Sequence, residues 1–359
     1  MKISLAMIVK NEERFIKRCL DSVKSLVDEI IVVDTGSTDN TLYIIQEYSS
    51  VKLFHHTWNN NFSTARNFSL SQCSGDYVLV LDADEYVSVG DRQELEIIMK
   101  SNVIGRMKIC SPFKKEGQTF TSNSYVSRFF PKELKYKGII HEQLDSDLSR
   151  QKMNFEIEHS GYMDVRKDQR NIPLLLKALE QEPKDSYYMF QLGKEYRIVE
   201  NYERAFHILN ESYSLLTGEE EYYTDLVVEF IYSGKEIQNN SISKRILGVI
   251  EDNEEHLKKV ADFHFAKGLF FLDYSLKLRN RGFAYLPAIE QSFLKCLQLE
   301  NSSHVESVVG TGSFLAAYNL GVFYEVIGKI DEAEKYYLLS FERGYIPAQK
   351  RLNVLKVSK

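Results

Sequence analysis

The stretch Tyr77-Val78-Leu79-Val80-Leu81-Asp82-Ala83-Asp84-Glu85 is an uninterrupted apolar run that ends in a pair of aspartates. Such a run of valine and leucine predicts a strand that is buried on both faces of a parallel sheet. Because a buried strand cannot carry charge, we expect Asp82 and Asp84 to lie at its C-terminal end, where open α/β sheets bind ligands. Two carboxylates separated by one residue suit a divalent cation that also binds phosphate oxygens. Ordinary acidic turns share this pattern. The neighbouring segments are therefore needed to distinguish a metal site from such a turn.

The segments around this stretch alternate between strand and helix. Apolar runs predict strands at residues 3–9, 29–33 and 51–54, and helical spacing predicts helices at 41–48, 62–71 and about 91–100. Asn11 is the predicted N-cap of a further helix whose apolar positions begin at Phe15. Asp34 ends the second strand, where nucleotide-binding α/β folds hold a ribose or a base. The alternation predicts an α/β fold with a mostly parallel sheet.

The pattern changes after Arg106. Short β-like pieces separated by polar turns are predicted at residues 107–110, 119–120 and 125–130, and a further strand at 155–162. We interpret this region as the mixed-sheet half of the domain, which receives the acceptor of a reaction.

The chain from Asn171 onward is predicted to be helical to its end. Two segments match the spacing of tetratricopeptide (TPR) repeats, in which small residues lie where paired helices cross. These segments are Met189-x2-Leu192-Gly193-x2-Tyr196…Ala205…Leu209 and Ala317-x2-Leu320-Gly321-x2-Tyr324…Ala333…Tyr337. A generic helical bundle is the alternative.

Composition limits the classes of protein that fit. A chain of 359 residues is too long for one compact core and predicts roughly two or three domains. Its net charge of −6 argues against a nucleic-acid-binding protein, which would present a basic surface. The four cysteines are scattered, which favours reduced thiols in a cytoplasmic protein over disulfides or a zinc site. No apolar stretch has the length of a signal-peptide core or a transmembrane span.

Three strings occur in order along the first half of the chain: Met7-Ile8-Val9-Lys10-Asn11-Glu12-Glu13, Val33-Asp34-Thr35-Gly36-Ser37-Thr38-Asp39 and Leu81-Asp82-Ala83-Asp84-Glu85. Together they resemble the family 2 glycosyltransferases of the GT-A fold, which use nucleotide-diphosphate sugars. The resemblance implies a Rossmann-like GT-A catalytic domain at residues 1–165. Ala65-Arg66-Asn67, residues 138–142 and His159-x-Gly161-Tyr162 further resemble a bacterial branch with C-terminal TPR-like helices, here residues 166–359. That branch includes the S-glycosyltransferases of glycopeptide bacteriocins (glycocins).

The resemblance implies a donor site for a UDP-sugar. Asp34 would hold the uracil or the ribose, and Asn11 and Glu13 would line the same pocket. Arg66 would face the uridine or the diphosphate, where a guanidinium suits phosphate geometry. A solvated helix arginine is the alternative for Arg66.

The resemblance also implies a metal site beside the donor. Asp82 and Ala83 would lie near the ribose, and Asp84 would bind Mg²⁺ or Mn²⁺, which neutralises the diphosphate leaving group. His159 would supply a further metal ligand or a phosphate contact, since an imidazole suits Mn²⁺ better than Mg²⁺. A structural histidine on a strand is the alternative.

On the acceptor side, the family position makes Glu142 the candidate base, and His141 would orient the acceptor or the phosphates. An exposed glutamate at a strand end is the alternative. The expected reaction is an inverting transfer of a glucose- or N-acetylglucosamine-type sugar to a peptide or protein. A cysteine or serine of a bacteriocin-like peptide is the acceptor residue suggested by analogy.

The helical domain is expected to recognise the acceptor or to form a homodimer. Two alternatives remain. A cell-envelope or capsule polysaccharide glycosyltransferase would be expected to carry basic amphipathic or transmembrane segments, and the sequence analysis finds neither. A non-catalytic TPR scaffold with a decayed nucleotide-sugar domain would have lost the acidic pair or Glu142, and both are present.

Overall fold

The structure is a computed structural model that describes residues 1–115, 118–160, 168–299 and 307–358. It divides into two compact units, Met1–Ala178 and Leu179–Lys359. The domain boundary expected at residue 165 falls within 161–167, outside the described residues. Gly161 and Tyr162 of the predicted strand at 155–162 also lie there.

The first unit alternates strands and helices up to residue 101 and then becomes mostly β. Its elements are β1 (Ile3–Val9), α1 (Ile16–Val23), β2 (Glu29–Asp34), α2 (Thr41–Gln46), β3 (Val51–His55), α3 (Phe62–Gln72), β4 (Tyr77–Val80), β5 (Glu85–Val89), α4 (Arg92–Ser101), β6 (Ile104–Lys115), β7 (Gln118–Pro131), β8 (Tyr136–Lys137), β9 (Gln143–Leu144), β10 (Arg150–His159) and α5 (Asp168–Gln181). The last helix continues past the boundary between the two units.

These strands build one mixed sheet in the order β3-β2-β1-β4-β7-β6-β10-β5, while β8 and β9 form a separate small ribbon. The pairs β3–β2, β2–β1 and β1–β4 are parallel, and β7 joins β4 in the antiparallel sense. Every residue of β2 and β4 is buried, as their unbroken apolar runs predict. The predicted α/β class with a largely parallel first half is therefore confirmed.

The prediction that Asn11 caps the first helix was wrong. Helix α1 begins at Ile16, after Phe15, and no side chain caps it. Asn11 instead adopts a left-handed conformation with φ of 56°. Its side-chain oxygen accepts a hydrogen bond at 2.7 Å from the backbone N–H of Thr38, in the loop after β2. An asparagine suits both roles, and here the long-range partner prevails over the local cap.

The second half of the sheet also differs from the prediction. The short pieces at residues 107–110, 119–120 and 125–130 belong to two long strands, β6 with 12 residues and β7 with 14. The two strands pair from Gly105↔Phe129 to Lys115↔Gln118, so polar residues that resembled turns lie inside the ladder. Strand β5, which pairs with β10, was not predicted at all.

The second unit is almost entirely helical. Its elements are α6 (Ser186–Ile198), α7 (Tyr202–Leu215), α8 (Tyr223–Lys235), α9 (Asn240–Asn253), α10 (Ala261–Leu278), a 3-10 helix (Arg279–Tyr285), α11 (Leu286–Gln298), the two-residue strand β11 (Ser307–Val308), α12 (Phe314–Val326), α13 (Ile330–Glu342) and α14 (Ile346–Ser358). In the ranges that the structure describes, no helix combines the length and hydrophobicity needed to cross a membrane.

Two glycines determine how closely the helices approach each other in the pairs that match the TPR spacing. A Cβ atom on Gly193 of α6 would lie 2.5 Å from Cγ of Leu209 on α7. A Cβ on Gly321 of α12 would lie 2.5 Å from Cδ1 of Tyr337 on α13. Both partners are fully buried, so neither can move away freely. The small residues thus lie at the helix crossings, as predicted for a TPR-like unit.

We expect Gly321→Ala to destabilise the protein by about 1–3 kcal/mol, because the added methyl group overpacks against the buried Tyr337 ring. Gly248→Ala on α9 is the matched control, since a Cβ there meets no atom within 4 Å. The control should be neutral or more stable by up to about 1 kcal/mol, from helix propensity alone. Urea unfolding followed by circular dichroism measures both variants, and equal midpoints would contradict the packing argument.

Candidate active site

Five charged side chains meet at the C-terminal end of β4, and we call them the charge cluster: Arg66, Asp82, Glu85, Arg128 and Glu142. They come from five segments of the first unit, namely α3, the turn after β4, the first residue of β5, strand β7 and the loop between β8 and β9. This is the edge of the sheet where parallel strands present their ligand-binding residues.

Arg66 joins the D-x-D turn to the loop between β8 and β9. Its Nη2 donates a hydrogen bond to Oδ1 of Asp82 at 2.7 Å, and its Nε donates to Oε1 of Glu142. Helix α3 presents Arg66 from its second turn, and that helix is capped by Asn61, whose side chain accepts from the N–H of Thr64 at 3.0 Å. The predicted donor residue and the predicted base therefore share one guanidinium group.

Arg128 is a member of the cluster that was not predicted as a site residue. It lies on β7 and is 8% exposed. Its Nη2 donates to Oδ2 of Asp82 at 3.0 Å and to Oε1 of Glu85 at 2.5 Å. The only signal in the sequence is an arginine directly before the apolar pair Phe129-Phe130, which indicates a buried cation without naming its partners.

The two acids that contact Arg128 have opposite pKa shifts. Partial burial alone would raise the pKa of Asp82, but the charges and hydrogen bonds of Arg66 and Arg128 hold it well below its usual range. Burial raises the pKa of Glu85, and the neighbouring charge of Asp82 adds to this although Arg128 opposes it. The Asp82 side chain remains 35% exposed, so the anion held by both arginines can still be reached from solvent.

Asp84 and His159 form a buried pair beside the cluster. Oδ2 of Asp84 and Nε2 of His159 are 3.1 Å apart, and Nδ1 of His159 lies 3.4 Å from Oγ of Ser111. The two residues are brought together because β10 pairs with β5 directly after the D-x-D turn, with His159 opposite Glu85.

This pair has the donor set of a small metal site. A carboxylate oxygen and an imidazole nitrogen are ligands that Mn²⁺ accepts, and the carboxylate also suits Mg²⁺. Within the described residues, no group of three or more histidine, cysteine, aspartate or glutamate side chains could hold a metal ion. An ion on Asp84 and His159 would therefore need further ligands from substrate phosphates and water, as is usual for Mg²⁺ at phosphate sites.

The loops after β1 and β2 carry the other predicted donor residues, and hydrogen bonds tie these loops together. Oε2 of Glu13 accepts from the backbone N–H of Asn40 at 2.9 Å and from its Nδ2 at 2.8 Å. Asp34 is buried and accepts from the N–H groups of Gly36 and Ser37, each at 3.0 Å. Together with the hydrogen bond that Asn11 accepts from Thr38, these contacts fix the shape of the two loops, residues 10–15 and 35–40, which together with Asp34 we call the wall.

Ala83 and His141 are the remaining predicted residues, and both lie in loops of the first unit. Ala83 is 4% exposed and its methyl group packs in the core, so only its backbone is available to a ligand. His141 precedes Glu142 in a left-handed conformation with φ of 49°. Helix α3 supports this loop, because the N–H of Phe62 donates to the carbonyl oxygen of Ile139 at 2.9 Å.

The first unit is an α/β domain with an open sheet. An acidic pair and two buried arginines lie at the carboxyl ends of its parallel strands, which is where such domains bind ligands. Residues 4–116 match the family model named Glycosyl transferase family 2. The first unit therefore contains a family 2 glycosyltransferase domain.

Two curated proteins and one solved structure are each similar to about half of this chain. A TPR repeat-containing protein of Synechococcus elongatus is 33% identical over 210 residues, 54% of this chain and 51% of that protein. The SPbeta prophage-derived glycosyltransferase SunS of Bacillus subtilis is 29% identical over 223 residues, 58% of this chain and 53% of SunS. The chain thus spans about half the length of these curated relatives. The crystal structure of MamA aligns with 51% of this chain and 91% of its own, at 16% identity and a TM-score of 0.39.

We expect Arg128→Met to lower the free energy of unfolding by about 3–5 kcal/mol near pH 8, because it leaves Glu85 buried without its partner. The loss should shrink as the pH falls toward 6. A carboxyl group whose pKa is raised by folding favours the folded state when protonated, and that stability is lost as the pH rises through the folded-state pKa. Urea unfolding at both pH values measures the effect.

Lys108→Met on the adjacent strand β6 is the matched control for this prediction. Lys108 pairs with Glu156 at 2.8 Å, but their side chains are 27% and 37% exposed, so its removal should cost less than about 1 kcal/mol. The double variant Arg128→Met/Glu85→Gln should be more stable than Arg128→Met alone. A loss for Arg128→Met that is the same at pH 6 and pH 8 would contradict the role assigned to Glu85.

Proposed function

We propose that this chain is an inverting, metal-dependent hexosyltransferase that moves a sugar from a UDP-sugar to a peptide or protein. The proposal rests on the family 2 domain and, above all, on one observation. Arg66 bonds both to Asp82 in the D-x-D turn and to Glu142 in the loop between β8 and β9. A transfer reaction needs the donor site and the acceptor base close together, because the reacting groups must be held in position before the bond forms. Arg66 holds Asp82 and Glu142 in this way.

In this proposal the donor diphosphate lies at the D-x-D turn. Asp84 and His159 would hold Mg²⁺ or Mn²⁺, which would supply positive charge to the diphosphate leaving group. Asp34, Asn11 and Glu13 belong to the wall that receives the uridine. Asp82, fixed by the two arginines, faces the ribose as a hydrogen-bond acceptor.

Glu142 takes the proton of the acceptor group as that group attacks the anomeric carbon, opposite the departing UDP. Its Oε1 is occupied by Arg66, and within the described residues Oε2 makes no hydrogen bond. The guanidinium thus fixes the carboxylate while one oxygen remains for the acceptor proton. His141 orients the acceptor, and a single displacement of this kind inverts the anomeric configuration.

The acceptor we propose is a peptide, because stacked helix pairs like those of the second unit build extended surfaces that suit peptides. The acceptor atom is a cysteine sulfur or a serine oxygen, and the sugar is of glucose or N-acetylglucosamine type. The same unit is our candidate for homodimer formation. All four cysteines of the chain are free and buried, which supports a cytoplasmic site of action.

We expect intact-mass analysis to show a hexose or N-acetylhexosamine increment on a small cysteine-containing peptide after incubation with UDP-sugars and Mg²⁺ or Mn²⁺. Loss of the increment when the cysteine is blocked would assign the acceptor atom to sulfur, and retention would assign it to oxygen. Release of UDP and free sugar without modified peptide would contradict the peptide acceptor and favour an envelope glycan. Absence of turnover with every donor would contradict the enzyme and favour a scaffold.

Two substitutions should separate the donor and acceptor halves of the site. Asp84→Ala should abolish both sugar transfer and metal-dependent hydrolysis of the donor, because it removes a metal ligand. Glu142→Gln should lower transfer by about 10²–10⁴-fold, the usual contribution of a general base. Donor hydrolysis should continue in Glu142→Gln, and release of UDP and modified peptide measures the two activities separately.

Asp147→Asn and Glu133→Gln are the matched controls, because both side chains are exposed and lie in the same half of the first unit. Both should retain transfer and hydrolysis. Normal turnover by Asp84→Ala would remove Asp84 from the metal site. Unchanged transfer by Glu142→Gln would require another base.

A further inference from the structure

Helix α10 passes directly into a 3-10 helix that folds back on it, and we call residues 276–283 the tip. Gly282 lies against the backbone of Ser275 so closely that any Cβ would collide with the Ser275 carbonyl oxygen. The ring of Tyr285 holds the returning chain, with its centroid 5.6 Å from that of Phe271 and 5.2 Å from that of Tyr274. The tip is therefore a built feature of the second unit.

Two large apolar side chains project from the tip. Leu276 is 64% exposed and Phe283 is 68% exposed. Because the backbone of Gly282 lies against that of Ser275, the backbones of the neighbouring residues Phe283 and Leu276 are also close to each other. Single exposed hydrophobic residues are normal on a protein surface, but two large ones at one turn form a small apolar patch.

Positive charge surrounds this patch. Lys277, Arg279 and Arg281 are all exposed, and the sequence has no acidic residue between Asp273 and Glu290. Asp273 itself is paired with Lys235 at the end of α8, and so is Glu236. Four cations against two anions make this region positive, in a chain whose net charge is −6.

We propose that the tip docks on the surface of a bilayer that contains anionic lipids. An aromatic and an aliphatic side chain among lysines and arginines is the combination that binds at the headgroup boundary, with the cations on the anionic headgroups. A lipid surface also fits the size of the patch. A specific protein–protein interface needs about 1,000 Å² or more, which two exposed side chains do not supply.

Cosedimentation of the full chain with phospholipid vesicles tests this proposal. The protein should bind vesicles that contain phosphatidylglycerol, should not bind vesicles of phosphatidylcholine alone, and should dissociate as salt is raised. Phe283→Ser and Arg281→Glu should each weaken binding by at least about fivefold, since one basic or apolar group contributes that much at an anionic interface.

Val326→Ser and Lys259→Glu are the matched controls, because Val326 is 71% exposed and Lys259 is an exposed lysine elsewhere in the second unit. Both should bind like the unmodified protein, and circular dichroism confirms that all four variants fold. Failure to bind phosphatidylglycerol vesicles would overturn the proposal. So would equal binding by Phe283→Ser, or sedimentation velocity showing that this substitution dissociates a dimer of the chain.

Discussion

Removing a guanidinium group from water costs several kcal/mol unless carboxylates meet it with good geometry. Arg66 and Arg128 are both buried at the edge of the sheet, and three acids meet them: Asp82, Glu85 and Glu142. Those five side chains come from α3, the D-x-D turn with the start of β5, strand β7 and the loop between β8 and β9. Since no segment can move without leaving a buried charge unmatched, the ion pairs hold α3, β7, the D-x-D turn and the loop between β8 and β9 in one arrangement.

The rest of the first unit supports this arrangement with weaker interactions. Asn67 on α3 pairs with the backbone of Tyr136 in both directions, each hydrogen bond being 2.8 Å long, and so anchors the start of β8. In the second unit, steric fit at the helix crossings is a further constraint. Its helix pairs meet at Gly193 and Gly321, where only the absence of a Cβ allows the observed contact.

Much of this could be read from the sequence, because buried strands and paired helices have a period or a composition of their own. The apolar runs of β1, β2 and β4 and the glycine spacing of the TPR-like pairs are such signals. Polar partners that are distant in the sequence leave no such signal. Nothing near Asn11 indicates that it bonds to Thr38, and nothing near Arg128 indicates that it bonds to Asp82. The tip was missed for a related reason, since its apolar and basic residues converge through a 3-10 turn and not through an amphipathic helix. The roles assigned to the site residues remain predictions.

The hydrogen bonds between the loops after β1 and β2 have a consequence for how such a domain changes over time. The Asn11 side chain accepts a hydrogen bond from the backbone N–H of Thr38, and Glu13 accepts from the N–H and from Nδ2 of Asn40. A change in the course of one loop would therefore leave polar groups of the other loop without these partners. A substitution that reshapes one of these two loops is therefore expected to need a compensating substitution in the other. A chimera that takes one of these loops from a relative would lose hydrogen-bond partners in the other loop, whereas a chimera that takes both loops keeps these contacts.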